Sequence, residues 1–148
     1  MTSKTQKSPV VPLEKKSSPE VPEYRPRILV VDDESIIADT LTEILVRNGY
    51  AAVAAYDGSG ALETALLQPP ELLITDVMLP GMSGIELAIQ MRRIFPECKA
   101  LLFSGQAGTS DLLATAHRAG HQFTLLSKPV HPNDLLAWVA ESLKPVQV

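Results

Sequence analysis

From Arg27 onward, short apolar runs rich in β-branched residues alternate with longer stretches whose apolar side chains recur at helical spacing. The short runs place strands near 27–32, 50–55, 71–75, 98–103 and 122–127. The longer ones place helices near 35–48, 58–68, 84–94, 109–119 and 132–143. In the first helix Ile36, Ile37, Thr40, Leu41, Ile44 and Leu45 make one apolar stripe, stopped by Asn48-Gly49. The last helix opens at Pro132-Asn133-Asp134 and buries Leu135, Leu136, Val139 and Leu143. A strand–helix unit repeated in this way implies an α/β fold, a parallel sheet covered by helices on both faces. Right-handed crossovers then leave few topologies to consider.

The domain so defined runs over 27–148, and a chain of 148 residues has room for one such unit with a real core. Residues 1–26 are different. They hold five of the twelve prolines, with Ser and Lys between them. Such a segment buries too little apolar surface to offset its ordering entropy and reads as a disordered tail. Pro9-Val10-Val11-Pro12 within it has the spacing of a polyproline ligand, although a plain leader is the simpler reading. The tail carries five Lys/Arg and three Asp/Glu, which leaves eight basic and fourteen acidic residues, a net −6, over 27–148. An acidic domain matches the phosphate backbone of nucleic acid poorly, so no direct DNA binding is expected.

Cys98 is the only cysteine, which excludes an intrachain disulfide and a Cys-rich zinc site. It reads as a small core residue. No apolar run is long enough to span a bilayer, so no membrane insertion is expected, and the setting anticipated is cytoplasmic. His117, His121 and His131 lack Cys or carboxylate partners at metal-binding spacing and read as surface residues. Trp138 reads as boundary packing, with partner anchoring as the alternative.

In an open parallel sheet, ligands bind beyond the carboxyl ends of the strands, where the winding direction reverses. Standing there are Asp32 and Asp33 after the first strand, Asp76 after the third, Ser104 after the fourth and Lys128 after the fifth. Each alone has an ordinary explanation: Asp32 and Asp33 could cap a helix, Asp76 could open the Pro80-Gly81 turn, and Ser104-Gly105 could be a loop. Together they are the parts of a cation-assisted phosphate site. Crowded carboxylates repel, and a hard cation removes the conflict; magnesium favours oxygen ligands and bridges carboxylates to phosphate. The expected ligands are Asp33 and Asp76 directly, Asp32 through water, and the backbone carbonyl of Met78. The free oxygen of Asp76 could then attack phosphorus in line, with Lys128 on the phosphoryl oxygens. The Ser104 hydroxyl could donate to the new phosphoryl group, a contact present only in the modified state.

Four runs carry a family likeness: Leu29-Val30-Val31-Asp32-Asp33-Glu34, Asp76-Val77-Met78-Leu79-Pro80-Gly81-Met82-Ser83-Gly84, Phe103-Ser104-Gly105 and Ser127-Lys128-Pro129. In that order they resemble the response-regulator receiver domain of two-component signalling, from about Arg27 to Leu143. The resemblance implies a flavodoxin-like receiver fold with strand order 2-1-3-4-5. It also implies phosphorylation of Asp76 by a histidine kinase or phosphotransfer protein, magnesium dependence, and a cis peptide before Pro129. A protein of this kind catalyses only its own phosphorylation and dephosphorylation, and is not an enzyme in the usual sense.

Two features depart from the family pattern. The aromatic residue usual three positions before the lysine is replaced by Leu125, and the segment from Ala119 to Leu125 looks one residue long. Either Phe123 serves as a displaced switch acting with Ser104, or the aromatic switch is absent. The chain also stops soon after its fifth helix, so, unless it is a fragment of something larger, output is expected through a downstream protein or through a homodimer using helix four, strand five and helix five. Two other classes remain open at this point. One is a phosphorylation-independent scaffold with the same fold. The other is a small flavodoxin-like cofactor carrier, which the acids after the first strand disfavour because they repel a cofactor phosphate.

Overall fold

The computed structural model describes residues 23–105 and 109–145. Its strands are β1 (Arg27–Val31), β2 (Ala51–Ala55), β3 (Leu72–Asp76), β4 (Lys99–Ser104) and β5 (Thr124–Ser127). The helices between and after them are α1 (Ser35–Arg47), α2 (Gly58–Leu67), α3 (Gly84–Ile94), α4 (Thr109–Arg118) and α5 (Pro132–Ser142). The strands form one parallel sheet in the order β2-β1-β3-β4-β5. This is the α/β topology expected from the alternation and the family likeness.

Sequence dictates strand position. Leu72–Asp76 is buried throughout and lies in the centre, whereas Ala51–Ala55 and Thr124–Ser127 are exposed at several positions and lie at the edges. Each sheet face has its own core. Leu29, Val31, Leu73 and Leu102 pack against Ala61 and Ala65 of α2 and Leu87 and Met91 of α3. Ile28, Val30, Ile74 and Phe103 pack against Leu45 of α1 and Leu135 and Val139 of α5. Two layers of helix therefore clamp the sheet and hold its strand ends at fixed heights.

The helix starts show how the loops are set. Asp57 accepts from the Gly60 amide (2.6 Å) to cap α2, and Ser83 accepts from Glu86 N–H (3.1 Å) to cap α3. Nδ1 of His131 accepts from Asn133 N–H (3.1 Å) at the start of α5, a role not anticipated for a surface histidine. Helix α1 has no side-chain cap. Asp32 and Asp33 are thus not spent on capping. The Asp32 carboxylate instead accepts from Glu34 N–H in the connecting turn (2.9 Å).

β5 starts at Thr124, two residues later than expected. Gln122 and Phe123 are held from outside the sheet: Arg92 donates to the Gln122 carbonyl (3.2 Å) and lies over the Phe123 ring, 4.3 Å from its centroid. The Pro9–Pro12 segment and most of the expected tail lie outside the described residues. Residues 24–26, assigned to the tail by composition, do contact the domain. The Tyr24 hydroxyl donates to Glu71, and the Pro26 carbonyl accepts from Ala51 N–H (2.9 Å).

Candidate functional site: an acidic cluster at the sheet edge

Strand register builds the site. Val31 pairs with Thr75, so Asp32 and Asp76 follow at one height; Asp76 pairs with Phe103, and Ser104 pairs with Ser127. Asp32, Asp76, Ser104 and Lys128 therefore emerge from neighbouring strands at the same edge. Lys128 closes the group. Its Nζ donates to Asp32 Oδ2 at 2.8 Å and to Asp76 Oδ2 at 2.9 Å. Asp32 is 1% exposed, and Asp76 is 8% exposed as a residue and 11% at its side chain, so a solvent path to the Asp76 carboxylate exists.

Burial alone would lower the Lys128 pKa. Hydrogen bonds to Asp32 and Asp76, and their negative charge, outweigh it and raise the value. The side chain is accordingly a fixed ammonium at neutral pH. Asp33 is exposed, and carboxylate oxygens of Asp32, Asp33 and Asp76 lie within 4.8 Å of one another. Three hard oxygen donors at such spacing fit a magnesium ion and suit no softer metal as well. Met78 sits in the turn after β3, and its N–H donates to Asp76 Oδ1 (3.2 Å). That contact orients one carboxylate oxygen and leaves Oδ2 to the lysine.

Ser104 is buried at the end of β4, and its carbonyl accepts from Lys128 N–H (3.0 Å), tying the two residues through the backbone. The Lys128–Pro129 peptide is cis. Phe123 lies at the far end of β5 from Lys128, beneath Arg92 and stacked near His121 with ring centroids 6.3 Å apart. Leu125 pairs with Leu102 on β4 and is exposed. The structure thus brings together Asp32, Asp33, Asp76, Ser104 and Lys128, and sets Phe123 apart from them.

Sequence reasoning missed Gly84. It reads as a turn glycine, yet a Cβ there would stand 1.9 Å from the Asp76 carbonyl oxygen, while its N–H donates to the Val77 carbonyl (2.7 Å). Gly84 therefore lets the first turn of α3 lie directly against the backbone of Asp76. The Ser83-x-x-Glu86 capping spacing was the available signal that a helix starts there. Gly81, by contrast, is a turn glycine, with φ +77° and nothing near its missing Cβ. Cys98 is buried, and desolvation pushes its thiol up to about 11. No helix among the described residues is long and apolar enough to cross a membrane.

Comparison with known proteins agrees with this geometry. The model of the response regulator receiver domain matches residues 28–140. The response regulator MprA of Mycobacterium ulcerans is 33% identical over 111 residues, covering 75% of this chain but 47% of that protein, so this chain spans about half its length. Among solved structures, a CheY-like receiver domain protein from Methanospirillum hungatei superposes with a TM-score of 0.73 at 31% identity, covering 81% of this chain and 94% of that one. Chemotaxis protein CheY4 of Vibrio cholerae superposes with a TM-score of 0.72 at 25% identity, over 81% of this chain and all of that one. Neither the scaffold nor the flavodoxin-like alternative is favoured by these matches. An acidic pocket closed by a strand-end lysine, on a 2-1-3-4-5 sheet matched along most of its length, identifies the chain as a member of the response regulator receiver domain family.

Proposed function

We propose that the protein is a phosphorelay receiver that accepts a phosphoryl group on Asp76 from a phosphohistidine of a histidine kinase or phosphotransfer protein. The observation that carries this reading is the Lys128 ammonium bridging Asp32 and Asp76 beside Asp33. In the transfer an Asp76 carboxylate oxygen forms the new O–P bond while the donor's P–N bond breaks, and the leaving imidazole takes a proton. Lys128 neutralises charge on the phosphoryl oxygens, which supplies much of the catalysis in such transfers. Asp32, Asp33, Asp76 and the Met78 carbonyl are the residues that would hold magnesium, whose chemistry is charge neutralisation and orientation of phosphate oxygens. Ser104 is assigned to the phosphorylated state, its hydroxyl donating to the new group. Hydrolysis of the acyl-phosphate resets the protein, so its catalysis acts on its own modification.

Beside Lys128, Ile37, Leu41, Phe103, Pro129 and Val130 line an apolar hollow of about 410 Å³, with Ile36 exposed nearby. A donor protein can seat there and still reach Asp76. Output is assigned to the face of α4, β5 and α5, through a downstream protein or a second copy, and the setting to the cytoplasm. With acetyl phosphate and magnesium, wild type should label on Asp76 and Asp76→Asn should not; persistent label on the variant overturns the acceptor assignment. In calorimetric titrations Asp33→Ala should weaken magnesium binding strongly and Asp32→Ala less so. Unchanged isotherms for both variants would remove the metal assignment.

A further inference from the structure

At the end of the sheet opposite the acidic site lies a groove of about 540 Å³. Pro69, Pro70, Ile94, Phe95, Pro96 and Leu143 supply its apolar walls, from the α2–β3 turn, the α3–β4 turn and the end of α5. Its volume falls within the roughly 300–1,000 Å³ typical of ligand clefts. Nothing in the phosphorelay chemistry uses it.

The chain enters the domain along this groove's rim. Tyr24 donates to Glu71, and Arg27 Nε donates to the Pro69 carbonyl (2.7 Å); Arg27, Glu71 and Pro69 all line the groove. Separated from Tyr24 only by Glu23 is Pro19-Glu20-Val21-Pro22, a second instance of the Pro-x-x-Pro spacing seen at Pro9–Pro12. An extended proline-rich strand rises about 3.1 Å per residue, so a strand running back through Val21 would stay within about 10 Å of Tyr24 and the rim it contacts. Such strands dock on apolar grooves lined by aromatic residues, where donors meet their unpaired carbonyls. Here Phe95 is the aromatic wall; Lys99 and Lys144 also line the groove, Lys99 Nζ donating to the Lys144 carbonyl (3.2 Å) and Lys144 pairing with Glu141 (3.2 Å), with Glu71 and Glu97 alongside.

We propose that Pro19–Pro22 docks intramolecularly in this groove as a polyproline strap, tying the segment before β1 to the α3–β4 turn and the end of α5. A second copy is the competing occupant.

The test is paramagnetic relaxation in the full-length chain. Ser18→Cys carries a nitroxide added at neutral pH, with buried Cys98 left native and wild type treated in parallel as the blank. Docking should reduce the amide signals of Phe95, Glu97, Lys99 and Lys144 by at least half relative to the reduced label. Adding Val21→Asp should restore them while the fold's other resonances stay in place. Broadening confined to Glu23–Arg27 overturns the strap. So does broadening that appears equally when spin-labelled protein is mixed with isotope-labelled wild type, because that pattern assigns the groove to a second copy.

Discussion

At the scale of single residues, Lys128 does two jobs that can be separated. It neutralises a nearly buried carboxylate pair, and it is the assigned contact for a phosphoryl group. Lys128→Met should cost about 3 kcal/mol of stability in chelator, the lower end for leaving a buried charge unpaired. Magnesium should then raise the melting temperature of the variant more than that of wild type, since the ion replaces the missing charge. The pH dependence has a definite sign. A raised ammonium pKa means the stabilisation is fully present below the ordinary 10.5 and is lost only as pH rises through the higher folded value. The difference between wild type and Lys128→Met should therefore stay level from about pH 6 to about pH 9 in thermal melts.

Cys98 acts in a separate alkaline window. Its folded thiol keeps a proton to about 11, whereas the unfolded one loses it near 9.0, so stability falls as pH rises between those values. A shift of about two units corresponds to at most about 2.7 kcal/mol. Urea midpoints measured across this window should fall for wild type and flatten for Cys98→Ser.

At the scale of elements, the contact between β3 and α3 sets where Asp76 stands. A Cβ at Gly84 would overlap the Asp76 carbonyl, and a backbone atom cannot rotate away as a flexible side chain could. Gly84→Ala should cost about 3 kcal/mol, the upper end for overpacking, and slow acetyl phosphate labelling through displacement of Asp76. Gly49→Ala is the control. Its φ of +96° imposes backbone strain of about 1–2 kcal/mol, but nothing lies near the new methyl, so labelling should be unchanged. Hydrogen–deuterium exchange at Val77 and Gly84 would register the difference directly.

The same junction shows what a sequence reader can and cannot see. Element identity, strand order and the convergence of Asp32, Asp33, Asp76, Ser104 and Lys128 follow from apolar periodicity, family motifs and the rule that parallel strands end together. Gly84 closes one of those motifs yet reads there only as a turn glycine, because its importance lies in an approach between two backbones that apolar periodicity does not show. The late start of β5 is hidden for a similar reason. Phe123 has strand-like chemistry, but Arg92, thirty-one positions earlier, holds it outside the ladder. His131 as a cap also depends on the orientation of one ring, not on residue type.

At the scale of the whole molecule, the sheet holds three regions apart in space. Acids gather at the carboxyl ends of the strands, the proline-walled groove lies at the opposite end, and the α4–β5–α5 edge carries, among the described side chains, one exposed large hydrophobic per element: Leu112, Leu125 and Trp138. Ser104 links the first region to the third, because its carbonyl receives the Lys128 amide at the end of β5. A phosphoryl group that draws the Ser104 hydroxyl towards Asp76 would pull on β4 and, through that hydrogen bond, on β5. Leu125 and the elements flanking it would then shift even without an aromatic side chain swinging inward. Beryllofluoride with magnesium should accordingly increase self-association in sedimentation velocity, or tighten binding of a downstream protein where one is supplied. Leu125→Glu should abolish that response and leave acetyl phosphate labelling of Asp76 intact. Trp138→Ala should weaken the response several-fold, as loss of an aromatic anchor does. Retention of the full response in Leu125→Glu would move the output surface away from β5.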